Sequence, residues 1–324
     1  MFNDEKTLRL QVSWQRIKDQ VAPSSSDYAW KVRQRMVHDT NPLWNRLSDT
    51  VEARAFAAAK GAKTLDVLGT YASIDDLNWE KLPATCFLRG SQEHSTRLLR
   101  YESQWFLYGN GDAFCDKDGH FQISDRALRF SINETDAKTI ASMWLSTSIR
   151  NRSSDMNQGF VDASVVVEPF LLDENGQQPV KYRVYCFNGT PEMIELTSPT
   201  ITRLGGCALY TPEWTRVRQS VQSGIAPIFD FKRPEGFQSM IRDAMAIASG
   251  LDHICIEFMV TPNGPAIHRL VATPYSGQTG TPSRCPGVQK WLSSLWNVDT
   301  TWYNHIPRQL QPELVSEQVW SVAA

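Results

Sequence analysis

Long apolar runs are missing from this chain. No stretch approaches the ~20 consecutive apolar residues that cross a bilayer as a helix, so no membrane span is expected. Charge of one sign is not in excess either: 33 Lys and Arg stand against 35 Asp and Glu, a net charge of −2. That balance argues against broad electrostatic binding to nucleic acid or to an anionic membrane. Cysteine is sparse and scattered, at Cys86, Cys115, Cys186, Cys207, Cys255 and Cys285, with no CxxC pair. This excludes a zinc ribbon or a disulfide framework and reads as reduced, mostly buried thiols. Residues 1–17 lack the apolar segment of a secretory signal, so a cytoplasmic protein is expected. No GxSxG, HExxH or Walker pattern is present, and GNGD at 109–112 reads as a turn.

What is present is the composition of a globular protein, with 41% hydrophobic and 21% charged residues. A chain of 324 residues can bury one large core or two linked ones. The 11 tryptophans fit core packing first and a binding cleft second. Helical spacing recurs at 8–17 and 30–37, and the Ala-rich segment 51–60 predicts a helix capped by Asp49 and stopped by Gly61. Strands are predicted at 64–71, 85–89, 165–172, 181–189 and 192–196, with further strands and turns over 101–130. Short helices are predicted at 73–83 and 135–145, and an amphipathic one at 237–248. A hairpin follows, turning at 262–264, and a last helix lies near 288–296. Mixed helices and antiparallel hairpins make the fold class α+β.

That late hairpin carries charge where a core strand should be apolar: Glu257 on its first arm, His268 and Arg269 on its second. With the turn near Asn263, Glu257 and Arg269 lie across from each other.

Several stretches resemble the TupA-like branch of the ATP-grasp superfamily. VVVEPFLLDENG at 165–176, followed by KYRVYCFNG at 181–189, is similar to that branch's acid, hinge and basic strand. SDTVEARAFA at 48–57, SIDDLNWEKLPATCFLR at 73–89 and the hairpin ending in ATPYSG at 272–277 match further segments in order. The resemblance spans roughly 45–280. It implies two α+β lobes, 45–164 and 165–280, flanked by a helical extension over 1–44 and a helical tail over 281–324. It also implies ATP held between the lobes, with magnesium bridging its phosphates.

Residue by residue, the resemblance puts Glu168 beside the adenine, with Phe170 and Leu171 in the hinge. A solvated strand end is the plainer alternative for Glu168. Arg183 is implied as a phosphate contact, against an outward strand position, and Arg203 and Trp214 match positions of less defined role. Arg89 stands in place of the family's phosphate lysine, and Thr50 falls near the place of an earlier lysine. The loop at 90–96 has one glycine where the family has several; Ser91, His94 or Ser95 would donate to an anion, or the loop has lost that task. Glu257 matches a magnesium-ligating carboxylate, and Arg269 matches the second one. A guanidinium has no acceptor and cannot ligate Mg²⁺. Either Arg269 neutralises Glu257 in the ion's place, or a single-carboxylate site persists, or Arg269 itself binds phosphate or a substrate carboxylate.

The expected activity is an ATP-dependent carboxylate–amine ligase on a small molecule or a cell-surface glycan precursor, with Arg89, Arg183 and Arg269 in the chemistry. The alternatives are a degenerate ligand- or partner-binding protein and a phosphotransferase to a hydroxyl. No oligomeric state follows.

Overall fold

The computed structural model describes residues 27–39, 41–92, 97–108, 113–115, 121–123, 131–146, 162–171, 179–197, 208–217, 231–277 and 285–297. The helix expected at 8–17 and the turns expected at 109–112 and 173–176 lie outside them.

The described chain is α+β and is built on two antiparallel sheets. Its helices are α1 (Tyr28–His38), α2 (Pro42–Ser48), α3 (Thr50–Ala59), α4 (Glu134–Ser146), α5 (Phe237–Ala248) and α6 (Pro286–Leu295). The first sheet has the order β1 (Gly69–Tyr71), β8 (Val165–Pro169), β2 (Thr85–Gly90), β3 (Arg97–Tyr101), β4 (Gln104–Tyr108), β7 (Ser131–Ile132). The second has the order β11 (Ala208–Tyr210), β10 (Thr190–Thr197), β9 (Lys181–Phe187), β12 (His253–Thr261), β13 (Gly264–Val271). A separate ribbon pairs β5 (Ala113–Cys115) with β6 (Phe121–Ile123).

Period-two alternation sets what each face of the second sheet carries. Tyr182, Val184, Ile194, Ile254, Ile256 and Phe258 point to one side. There α5 lays Phe237, Met240, Ala244 and Ile247 on them, at the spacing of one helical stripe. The other face is divided along its length. One end is apolar, where Tyr185, Phe187 and Cys255 meet Tyr28 and Val32 of α1 and Val288 and Leu292 of α6. The other end is charged.

The first sheet follows the same logic. Cys86, Leu88, Leu98, Val165 and Val167 pack under Ala137, Ala141 and Trp144 of α4. The opposite face carries Phe87, Leu99, Phe106 and Tyr108, and beside them Arg89 and Glu168.

Helix α3 connects the two sheets. Asp49 caps it, accepting from the amides of Val51 at 2.9 Å and Glu52 at 3.2 Å. It ends at Lys60 and Gly61, whose φ of 77° suits glycine at a helix C-terminus. At the start of α3, Thr50 N donates to Ser91 O at the end of β2 (2.8 Å). Just beyond its end, Leu65 N donates to Ile267 O and Ile267 N to Lys63 O, on β13 (3.0 and 2.8 Å).

Two expected elements differ. Residues 73–83 form successive turns instead of a helix. The Asn78 side chain accepts from Lys81 N at 3.2 Å and the Ser73 hydroxyl from Asp75 N at 3.2 Å, which offers the backbone partners other than helical ones. Of the strand expected at 64–71, only Gly69–Tyr71 joins a sheet, while Thr64 makes a single bridge to Ile267. The Asp49 cap, the 237–248 helix and the late hairpin form as read.

Candidate functional site

The charged half of the second sheet is centred on Glu257. On β9, Lys181 and Arg183 fall on the same face as the buried Tyr185, because all three are two residues apart. Arg183 pairs in register with both Glu257 and Glu195. Its Nε donates to Glu257 Oε2 at 2.8 Å, and its Nη1 reaches the Tyr275 hydroxyl and lies 3.9 Å from Glu195 Oε2. Tyr275 in turn donates to Glu195 Oε1 at 2.8 Å, as Tyr185 does to Oε2 at 2.7 Å. Tyr275 and Ser276 both hold left-handed backbone, φ 54° and 52°, a conformation these residues adopt at a cost.

The other arm supplies His268. Glu257 pairs with Arg269, but Phe258 pairs with Ile267, so one residue of β13 is extra. This bulge lets two consecutive residues serve one neighbour. Ile267 and Leu270 both reach the same apolar core, and His268 Nδ1 meets Glu257 Oε1 at 2.6 Å. Lys181 Nζ lies 3.7 Å from the same oxygen. Burial would raise the Glu257 carboxyl, but Lys181, Arg183 and the His268 hydrogen bond hold it well below the usual carboxylate range. Burial keeps His268 far below the ordinary imidazole value. An ionised carboxylate can only accept, so a neutral His268 must carry its proton on Nδ1. Burial, against the pull of Glu257, brings the Lys181 amine down to about 7.

A second cluster lies on the first sheet. Glu168 is 6% exposed, with Arg54 Nη2 on its Oε1 and Arg89 Nε 3.7 Å from its Oε2. Arg89 has no exposure at all, and its Nη2 meets the Thr50 hydroxyl. Burial favours the neutral acid, yet Arg89 and Arg54 keep Glu168 far below its ordinary value. Four buried donors here have no hydrogen-bond acceptor among the described residues: Nε and Nη1 of Arg89, and Nε and Nη1 of Arg54. An isolated buried donor costs about 1–3 kcal/mol, so their geometry suits an incoming anion.

The two clusters lie within electrostatic reach of each other. Arg89 feels Glu257, and Glu168 feels His268. Burial and the repulsion of Arg89 and Arg97 bring Arg269 down to about 9. Burial, opposed by Glu168, brings Arg89 to about 10. Among the described residues, cationic groups therefore outnumber the carboxylates of this region.

The expected residues are distributed as follows. Arg89, Glu168, Arg183, Glu257 and Arg269 all belong to this region. Glu168 is not a solvated strand end, and Arg183 is not an outward strand residue; both are locked into ion pairs. Ser91 is fully buried, its hydroxyl accepting from Ser164 N at 3.1 Å. Phe170 packs on Phe87 with ring centroids 5.0 Å apart, and Leu171 packs beside Leu65, Met259 and Ala266. Trp214 stacks on Tyr210 at 4.4 Å and packs with the core. His94, Ser95 and Arg203 lie outside the described residues. The register puts Arg269 opposite Glu257, whose charge it feels, while Arg183, His268 and Lys181 make hydrogen bonds and close ion pairs to the Glu257 carboxylate. Arg54 and Lys181 were not singled out from sequence. Arg54 had a visible signal, since it shares the buried stripe of α3 with Thr50, Ala53 and Ala57.

Magnesium does not fit these residues. It requires hard oxygen ligands with free lone pairs. Both oxygens of Glu257 already accept from protein donors, and an arginine stands opposite. Among the described residues, no group of three or more His, Cys, Asp or Glu side chains is arranged to hold a metal ion. In the described structure Glu257 serves as an anchor for Arg183 and His268 in place of the metal-ligand role that the resemblance implies.

No family model matches the chain, and no curated protein matches it. Among solved structures it is similar to a D-alanine–D-alanine ligase from Bacillus anthracis complexed with ATP, at 11% identity and TM-score 0.36, covering 70% of this chain and 54% of that one. It is also similar to a RiPP-associated ATP-grasp ligase from Chryseobacterium gregarium in complex with ADP and peptides, at 8% identity and TM-score 0.37, covering 73% and 56%. A macrocyclase bound to its precursor peptide, from Microcystis aeruginosa, is similar at 9% identity and TM-score 0.36, covering 91% and 72%. The chain spans about half the length of the first two.

Proposed function

We propose that this chain binds ATP through its phosphates between the two sheets and acts as a carboxylate–amine ligase. In this reading a substrate carboxylate oxygen attacks the γ-phosphorus and ADP leaves. An amine then attacks the acyl carbon and expels phosphate. The substrate would be a small molecule or a glycan precursor in the cytoplasm, the class implied by the TupA-like resemblance. The observation that carries the reading is the set of unsatisfied donors on Arg54 and Arg89, buried beside an excess of positive charge. Phosphoryl transfer is governed mainly by positioning and by neutralising charge on the phosphoryl oxygens. Forked guanidiniums do both. Arg183, fixed by Glu257 and Glu195, supplies a further oriented cation.

The locked state of Glu257 favours a second reading, in which the chain binds a ligand without turning ATP over. One experiment separates them. ATP should raise the melting temperature, since binding to the native state stabilises it. ADP should then accumulate over many turnovers only when a carboxylate and an amine are both supplied, with at most about one equivalent per chain from the carboxylate alone. Stabilisation without ADP supports the second reading, and a stable phosphate ester formed on a hydroxyl without amine identifies a phosphotransferase. No stabilisation by ATP under any condition overturns the nucleotide reading.

A further inference from the structure

We infer that this chain neutralises a bound polyphosphate with its own guanidinium groups and without a divalent cation. The inference rests on the nucleotide reading for the identity of the ligand, but its physical basis is separate. A divalent ion serves a polyphosphate site by offsetting anionic charge and by fixing the oxygens in space. Both tasks already have occupants here.

The offset comes from fixed cations. Among the described residues, Arg54 and Arg89 share the carboxylate of Glu168, which leaves positive charge over on the first sheet. On the second sheet, Lys181 and Arg183 face Glu257, and Arg183 also faces Glu195. Arg269 stands across from Glu257 in register, within the fields of Arg89 and Arg97. A dication entering this set meets repulsion, whereas a polyanion relieves the repulsion already there.

The fixing comes from anchored donors. Arg89 is held by the Thr50 hydroxyl and by Glu168, and Arg54 by Glu168, each through one side of its fork. The remaining donors, Nε and Nη1 of both arginines, are buried and have no hydrogen-bond acceptor among the described residues. Guanidiniums pinned on one side with donors spare on the other suit phosphate oxygens and lose little rotamer entropy on binding. The carboxylate that would otherwise hold a metal has both oxygens engaged.

The test is calorimetric titration of the full chain with ATP, with inorganic tripolyphosphate and with AMP, each in EDTA and again in excess Mg²⁺. ATP and tripolyphosphate are expected to bind in EDTA at least as tightly as with Mg²⁺, because complexation removes anionic charge from the ligand. AMP is expected to bind at least about tenfold more weakly than ATP, a difference of about 1.4 kcal/mol. If ATP binds only with Mg²⁺, this inference is overturned while the nucleotide reading survives. If tripolyphosphate binds in EDTA and ATP does not, the inference stands and the nucleotide reading falls. If neither binds under any condition, both fall.

A variant sharpens the assignment. Removing Arg54 outright strands Glu168 and risks the fold, so Arg54→Lys is preferred: it retains the charge facing Glu168 but lacks the fork. Tripolyphosphate affinity in EDTA should drop about tenfold or more, with circular dichroism unchanged. Unchanged affinity in a folded Arg54→Lys chain removes Arg54 from the site and, with an equally silent Arg89→Lys, overturns the inference.

Discussion

Each charged side chain near the sheets matters through what would be left behind if it were removed. Glu168 is nearly inaccessible and holds two guanidiniums. Replacing one member of a buried ion pair strands the others, at a cost of about 3–5 kcal/mol. Glu168→Gln should therefore lower the free energy of unfolding by roughly that amount in urea titrations. Lys181 gives a pH signature. Its amine sits at about 7 in the folded chain, against about 10.4 when unfolded. Between those values the unfolded chain holds the extra proton, so this residue makes stability rise with pH across that window. Below the window both states are protonated and the penalty of a charged, buried ammonium is felt in full. Lys181→Met should flatten the rise, read as a parent-minus-variant difference in unfolding free energy from about pH 7 to about pH 10. The sequence made Glu257, Arg269 and Arg183 visible, because charge within an apolar strand stands out. It could not reveal how Glu257 chooses its partners. That choice depends on a bulge, and one extra residue on a strand is fixed by pairing with another strand.

Among the elements, those with strong periodicity were legible. The stripe of α5 and the capped start of α3 follow from side-chain spacing and from the aspartate at position 49. Asp49→Ala should cost about 1 kcal/mol, up to ~2, since two amides lose their acceptor. Thermal unfolding would measure it. The turns at 73–83 were misread as a helix because helical apolar spacing there competes with Ser and Asn side chains that cap and turn the backbone. The short helical turn after β13, Pro274–Gly277, has a tighter constraint than its sequence suggests. Gly277 has φ 63°, and a Cβ there would lie 2.6 Å from both Ala29 O and Arg33 Cγ of α1. Gly277→Ala should therefore loosen α1 from the second sheet, lowering the melting temperature and exposing the 28–38 segment to limited proteolysis. An unchanged proteolytic pattern would show that the close approach is absorbed elsewhere.

For the molecule as a whole, no described helix is long and apolar enough to cross a membrane. The α+β class was legible from the mix of periods, but the division of one sheet face into an apolar and a charged end was not. That division depends on which helices cover it: α1 and α6 reach Tyr185 and Phe187 and leave Lys181 and Arg183 to the ion pairs. Binding of a polyanion between the sheets should slow hydrogen exchange at Thr50, Leu65 and Ile267, whose amides join α3 and its flank to both sheets. One attachment sits at the end of β2 and the other on β13, so the helix that carries Arg54 is tethered to both sheets at its two ends. An anion gripped by Arg54 and Arg89 would therefore load the seam between the sheets directly, through a single short rod of backbone.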